Sequence, residues 1–260
     1  MKLRALYTDL DGTLLGHRAS LLRDGDGAFS LLGARALEAC HRAGVEVVLY
    51  SGRRRDQLFH DARILGVESY VFEAGCGLVA SGETISMTDT TYDDITASGA
   101  PALLLERYAG RLEYHDPWHT GREVTHLLRG DVDADEADAL LAEHGHDGLR
   151  LLDNGAIRRT MPGIEQAHAY HLLPAAASKA RAIAMHMQIR GLQASEVVAI
   201  GDSREDAGAA GVVQTFWFVA NAVAKDPSLR SIRGHNIRIA QESWGAGVYE
   251  AVVTELAERS

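Results

Sequence analysis

Two carboxylates, Asp9 and Asp11, flank Leu10 at the end of an apolar run in the segment Tyr7-Thr8-Asp9-Leu10-Asp11-Gly12-Thr13. Burial beside a strand makes such a pair expensive, and two clustered acids repel unless a cation or a shared proton intervenes. Mg²⁺ is the economical partner for an oxygen-rich pair of this kind. Later segments add compatible groups. Ser51-Gly52-Arg53 offers a hydroxyl and free backbone N–H groups just before a helical stretch, which suits an anion the size of phosphate. Lys179 sits in the first turn of another helix, where a cation works against the helix dipole unless it points at an anion. Gly201-Asp202-Ser203-Arg204-Glu205-Asp206 returns two more aspartates, again after an apolar run, although Asp206 alone could be an acid complementing a helix start.

These groups need strands to deliver them. Leu3 to Tyr7, Val45 to Tyr50, Tyr70 to Phe72, Glu196 to Ile200, Thr215 to Val219 and Ile237 to Ala240 read as short buried strands. Between them, Ser30 to Ala43, Arg53 to Leu65, Ala180 to Arg190 and Val248 to Glu258 read as helices, with His17 to Gly27 a flexible segment and Leu78 to Met87 a hairpin. Such alternation implies an α/β fold with a doubly wound parallel sheet, whose ligands gather at the carboxyl ends of the strands. From about Thr88 to Leu172 the pattern changes: helix at Pro101 to Tyr108, strand at Glu123 to Arg129, helix at Ala134 to His144, then strands at Leu149 to Leu152 and Ala169 to Leu172. The expected organisation is a core of residues 1–87 and 173–260 with residues 88–172 inserted as an α/β cap.

Taken in order, these segments resemble the haloacid dehalogenase superfamily of phosphohydrolases, and within it the Cof-type branch of sugar-phosphate phosphatases with a large cap inserted late. Asp9-Leu10-Asp11-Gly12-Thr13 resembles the first motif, Ser51-Gly52-Arg53 the second, Lys179 the third and Gly201-Asp202 through Asp206 the fourth. Val219-Ala220-Asn221-Ala222 and Gly245-Ala246-Gly247-Val248 resemble late signatures of the branch. The resemblance implies a Mg²⁺-dependent phosphatase of a small phosphorylated metabolite, a sugar phosphate or a related phospho-acid, in which Asp9 is the nucleophile and Asp11 the acid and base. It also implies that Asp9, the backbone carbonyl of Asp11 and Asp202 hold the metal, with Asp206 orienting a metal-bound water from behind. Thr13, Ser51, Gly52 and Lys179 would hold the phosphoryl group, and Arg53 and Asn221 are further candidates for contact with phosphate or substrate. A phosphomutase of the same fold and a non-catalytic module binding phosphorylated ligands are the alternatives, and the second has no use for Asp11.

Three departures from the family pattern stand out. Glu205 occupies a place where asparagine is frequent and adds a negative charge near the metal. Glu73-Ala74-Gly75 lacks the usual asparagine of that loop, and Ala180 follows Lys179 where glycine is frequent. None removes a group that the chemistry requires.

The remaining features are blander. A net charge of −10 disfavours nucleic-acid or anionic-membrane binding as a general role. Cys40 and Cys76 lack metal-like spacing and read as free thiols, which together with the missing leader or spanning segment points to a reducing, cytoplasmic setting. His115, Asp116 and His119 are ligand types interrupted by Pro117-Trp118, and read as a turn more readily than as a metal site. Arg53-Arg54-Arg55 is too short for a nucleic-acid patch, and Phe216-Trp217-Phe218 reads as buried strand. In the cap, Arg122, His126, Arg159, His168 and His171 could meet a sugar or an acid.

Overall fold

The computed structural model describes residues 2–232 and 234–259. Ala5–Thr8 (β1), Glu46–Tyr50 (β2), Ser69–Phe72 (β3), Val197–Gly201 (β10), Thr215–Phe218 (β11) and Ile237–Ile239 (β12) form the parallel part of one sheet. The hairpin expected around residues 78–87 is present as Gly77–Ala80 (β4) and Glu83–Ser86 (β5), which extend it antiparallel. Its order is β12-β11-β10-β1-β2-β3-β4-β5. Strands β1, β10 and β11 are mainly apolar and buried along their whole length, as cover on both faces by flanking helices requires. Those helices include Leu32–Ala43 (α1), Arg55–Leu65 (α2), Lys179–Arg190 (α6) and Trp244–Glu258 (α9).

Register aligns the carboxyl ends where the chemistry sits. Thr8 is paired with Leu49 on one side and Ile200 on the other, so Asp9, Ser51 and Asp202 all emerge at one edge within a residue or two. The Tyr50 hydroxyl reaches across β1 to donate to the Ile200 carbonyl at 2.7 Å, tying the ends of β2 and β10 together. Within β1, two residues before Asp9, the Tyr7 hydroxyl hydrogen-bonds with His186 of α6 at 2.9 Å. This contact fixes the helix that carries Lys179 against the strand that delivers Asp9.

Between β5 and α6 the chain builds a second sheet. Leu112–Tyr114 (β6), His126–Gly130 (β7), Leu149–Ala156 (β8) and His168–Pro174 (β9) pair antiparallel in the order β6-β7-β9-β8. The preceding helices are Tyr92–Ser98 (α3) and Ala100–Arg107 (α4), and Ala134–Glu143 (α5) joins β7 to β8. One face of this sheet packs Leu128, Leu151, Tyr170 and Leu172 against Leu104, Ala137 and Leu141 of α4 and α5. The other face sets Leu127, His171 and Leu152 side by side.

Several expectations from the sequence need adjusting. A strand from residue 123 begins only at His126, because the backbone N–H groups of Glu123, Val124 and Thr125 donate instead to the Glu73 carboxylate. The three-residue β6 is too short to show a period, and α3 precedes the expected helix. Helix α9 starts at Trp244, four residues before Val248, since Gly245 and Gly247 serve close packing there: a Cβ at Gly245 would lie 2.9 Å from Gly33 of α1. Cys40 and Cys76 are buried free thiols, and no described helix is long and apolar enough to cross a membrane.

Candidate active site

Asp9 is 5 % exposed at the end of β1, and its Oδ1 accepts from Lys179 Nζ at 3.0 Å. The same ammonium donates to Asp206 Oδ1 at 2.6 Å and stands 4.9 Å from the Tyr50 ring centroid. Asp206 Oδ2 accepts from the Asp202 and Ser203 backbone N–H groups and from the Ser203 hydroxyl, so both Asp206 oxygens are engaged within the chain. Ligand atoms of Asp9, Asp202 and Asp206 lie within 4.8 Å of one another. One ammonium cannot balance three carboxylates. Burial and the neighbouring acids hold Asp9 well above the usual carboxylate range in spite of Lys179, and burial with Asp206 pushes Asp202 up to about 7. Burial alone would lower Lys179, but Asp206 and Asp9 outweigh it and hold its pKa above the ordinary lysine value. A buried excess of negative charge made of hard oxygen donors fits a divalent cation such as Mg²⁺. Since Asp206 is already engaged, Asp9 and Asp202 are the side chains free to hold one.

Gly12 makes this convergence possible. Its φ is +90°, and a Cβ there would fall 2.3 Å from Asp202 Oδ2. Gly12→Ala is therefore expected to displace the Asp202 carboxylate and strain the turn, raising the Mg²⁺ concentration for half-maximal activity by about 10-fold or more. A metal titration of activity checks this, and an unchanged midpoint would place the cation elsewhere.

The second half of the site surrounds Asp11. Arg53 donates to both of its oxygens, Nε to Oδ2 at 2.7 Å and Nη2 to Oδ1 at 2.6 Å, while Nη1 reaches Asp61 Oδ2 at 2.7 Å. Burial opposes the Arg53 charge, but these two acids outweigh it and raise its pKa. Arg53, a candidate for phosphate contact, is thus a clamp on Asp11. Asn221, another such candidate, donates to the Gly12 carbonyl at 2.7 Å and accepts from Trp244 N at 2.8 Å, so its amide braces the Gly12 turn against α9. Ser51 is 2 % exposed and accepts from Arg53 N at 3.2 Å. Thr13 is fully buried, and its hydroxyl has no hydrogen-bond partner among the described residues. Gly52 lies so close to the second sheet that a Cβ would fall 2.7 Å from His171 Nε2.

Glu205 and Glu73, which precedes the departure at Ala74, both find partners between β5 and α6. Glu205 pairs with Arg150 of β8 at 3.2 Å, so its charge is answered from the second sheet. Glu73, wholly buried, accepts three backbone N–H groups at 2.7 to 3.0 Å, which ties its loop to residues 123–125. The acidic character of Glu73 in an otherwise apolar stretch was the signal for it. Arg150 and Asp61 carried none.

The polar residues of the inserted block divide. Arg122 and His171 border the Ser51-Gly52 loop. His126 instead stacks on Tyr92 at 3.8 Å between centroids and hydrogen-bonds with its carbonyl, and His168 pairs with Asp153. Arg159 donates to the Asp116 carbonyl. His115, Asp116 and His119 do not converge into a metal cluster among the described residues.

The chain is 27 % identical over 256 residues to a phosphoglycolate phosphatase of Pyrobaculum neutrophilum, covering 97 % of this chain and 95 % of that one. It is 25 % identical over 257 residues to a phosphoglycolate phosphatase of Methanoculleus marisnigri, covering 96 % and 95 %. Among solved structures it matches the sucrose-phosphatase of Synechocystis with a TM-score of 0.68 at 17 % identity, over 98 % of each chain. A haloacid dehalogenase-like hydrolase of Bacteroides thetaiotaomicron matches with a TM-score of 0.66 at 16 % identity, over 97 % of this chain and 99 % of that one. No protein-family model matches the chain. Full-length similarity to phosphatases, a fold shared with haloacid dehalogenase-like hydrolases and a buried acidic cluster at the strand ends agree, and together they fit a phosphatase, a phosphoric monoester hydrolase, of haloacid dehalogenase-like fold.

Proposed function

We propose that the chain hydrolyses a small phosphorylated metabolite, a sugar phosphate or a short phospho-acid of the kind named for its relatives, through an aspartyl-phosphate on Asp9. The observation that carries this reading is the position of Asp9: ionisable, nearly buried, held by Lys179 and flanked by Asp202 at the mouth of β1. Asp9 attacks phosphorus through its carboxylate oxygen, and the departing alkoxide takes a proton from Asp11. In the second half, water attacks the same phosphorus, gives its proton to Asp11, and inorganic phosphate leaves a regenerated Asp9. Asp11 accepts from Arg53 at both oxygens, which holds its carboxyl in place at the loop mouth. Lys179, Ser51, the Gly52 N–H and the Thr13 hydroxyl supply donors and charge for the phosphoryl oxygens. Asp9 and Asp202 are the side chains that would hold Mg²⁺, which when bound would supply charge neutralisation for the phosphoryl group.

The inserted block, residues 88–172, serves in this reading as the cap that closes over the strand ends and excludes water. Support comes from its ties to the core: Glu73 to residues 123–125, Arg150 to Glu205, Arg55 to Glu123 and Arg158 to the Gly25 carbonyl. Phosphate release from 2-phosphoglycolate, 3-phosphoglycerate, glucose 6-phosphate and sucrose 6-phosphate, with Mg²⁺ and with chelator, tests the proposal. Release from at least one ester should fall about 100-fold or more with chelator and return with Mg²⁺. Release indifferent to chelator would overturn the metal-assisted mechanism.

A further inference from the structure

The inserted block brings a positive charge to the Ser51-Gly52 loop without bringing an acid to meet it. Arg122 is 8 % exposed, and its hydrogen bonds go to neutral groups: Nε to the Trp118 carbonyl at 3.2 Å, Nη1 to the Thr125 hydroxyl at 2.9 Å and to the Gly52 carbonyl at 3.1 Å. Its Nη2 has no hydrogen-bond partner among the described residues, and Arg122 forms no ion pair among them. By contrast Arg53, Arg55, Arg129 and Arg150 each pair with a carboxylate. The acid that acts on Arg122 through space is Glu73, whose oxygens already accept three backbone N–H groups. Burial accordingly pushes the Arg122 pKa down to about 10. A desolvated guanidinium served only by dipoles is costly unless an anion completes it.

The surroundings carry the same sign. His171, buried beside Gly52, has its pKa pushed far down by burial and then by the positive charges of Arg122 and Lys179. His115 is pushed to about 4 by burial and then by Arg129, Arg159, Arg122 and His119. The charged neighbours that shape these two imidazoles are all basic, one of them the Lys179 that stands at Asp9. The corner between Gly52, His171 and Arg122 is therefore positive, buried and adjacent to the phosphate site.

We propose that Arg122 is the specificity-determining residue of this enzyme, binding a carboxylate on the leaving-group side of the substrate and so selecting short phospho-acids over neutral phosphate esters. The proposal rests on the phosphatase reading above and deepens it. A guanidinium fork with a free Nη2 suits a planar carboxylate, and a neutral sugar hydroxyl would leave its charge unanswered. A second phosphate in place of the carboxylate is the competing anion.

The test compares kcat/KM for 2-phosphoglycolate and for 2-hydroxyethyl phosphate, in which a hydroxymethyl group replaces the carboxylate, with 1,2-ethanediol bisphosphate as a third arm. Wild type should favour the acid over the hydroxyethyl ester by about 100-fold, and Arg122→Gln should remove that preference, chiefly through KM, the acid losing far more than the hydroxyethyl ester. Arg122→Lys should restore part of the preference. Equal losses on both esters would mean that Arg122 only braces the Gly52 loop, and would overturn the proposal. So would a wild type without preference for the acid, or one that prefers the bisphosphate. A measurement on wild type alone guards against a variant that fails to fold: glycolate should inhibit competitively, ethylene glycol should not, and equal inhibition by the two would also overturn it. In either of those failures the hydroxyethyl ester is still hydrolysed, so the phosphatase reading stands. Hydrolysis of no ester would count against that reading and this inference together.

Discussion

Lys179→Met should both destabilise the chain and disable it. The ammonium is 2 % exposed and lies 3.0 Å from Asp9 and 2.6 Å from Asp206, so removing it leaves two buried carboxylates without their counter-charge. Breaking a buried pair from one side costs about 3–5 kcal/mol, which for a chain of this size lowers Tm by about 10 °C. The sign of the pH dependence follows from the two partners. Lys179 has a raised pKa in the folded state, so its stabilising contribution is fully present below the ordinary lysine value and is complete at neutral pH in wild type. Asp9 is also raised, and without Lys179 it rises further; the folded variant then binds more protons than the unfolded chain, and its stability recovers as pH falls. Melting curves of both proteins in chelator should show the widest gap near pH 8 and a narrower one near pH 5. In the same variant kcat should fall about 1000-fold, because a donor aimed at the phosphoryl oxygens is gone and Asp9 is less often ionised. A gap of under about 2 °C at every pH would mean that Lys179 does not carry the pairing assigned to it.

The parts of the site that lie on consecutive residues at strand ends were legible in the sequence. Asp9, Ser51, Lys179 and Asp202 each follow or open an apolar segment whose burial could be anticipated, and the register of β1 with β2 and β10 brings three of them to one edge. Contacts between distant segments were not legible. Nothing in the local pattern around Glu205 indicates Arg150, 55 positions away, and a charge expected to trouble the metal ligands is instead an ion pair with the second sheet. Glu73 shows the same limit. The missing asparagine beside it is visible, but the three N–H groups it accepts come from a stretch that otherwise reads as strand, and that tie shortens β7. The two readings that shifted most, Arg53 and Asn221, shifted for one reason. Each is polar and close to the phosphate loop, yet Arg53 finds Asp11 and Asp61, and Asn221 finds backbone on both ends of its amide. In the second sheet, alternation along β9 turns His171 to the face beside Gly52, and sequence alone could not say which face that would be.

Asp9→Asn has the largest expected effect on turnover and the smallest on the fold. The amide is nearly isosteric and Lys179 keeps Asp206 as its partner, so the buried ammonium stays answered. In chelator the variant should melt at or above the wild-type temperature, since one carboxylate has left a cluster in which Asp9, Asp202 and Asp206 repel one another. An amide cannot form the acyl phosphate, so kcat should fall by about 10⁴-fold or more at saturating Mg²⁺. Phosphate release by this variant, measured beside wild type on the best ester of the panel, tests the account most directly. Loss of turnover in a protein with an unchanged melting temperature is the predicted result, and a kcat within about 10-fold of wild type would contradict Asp9 as the nucleophile.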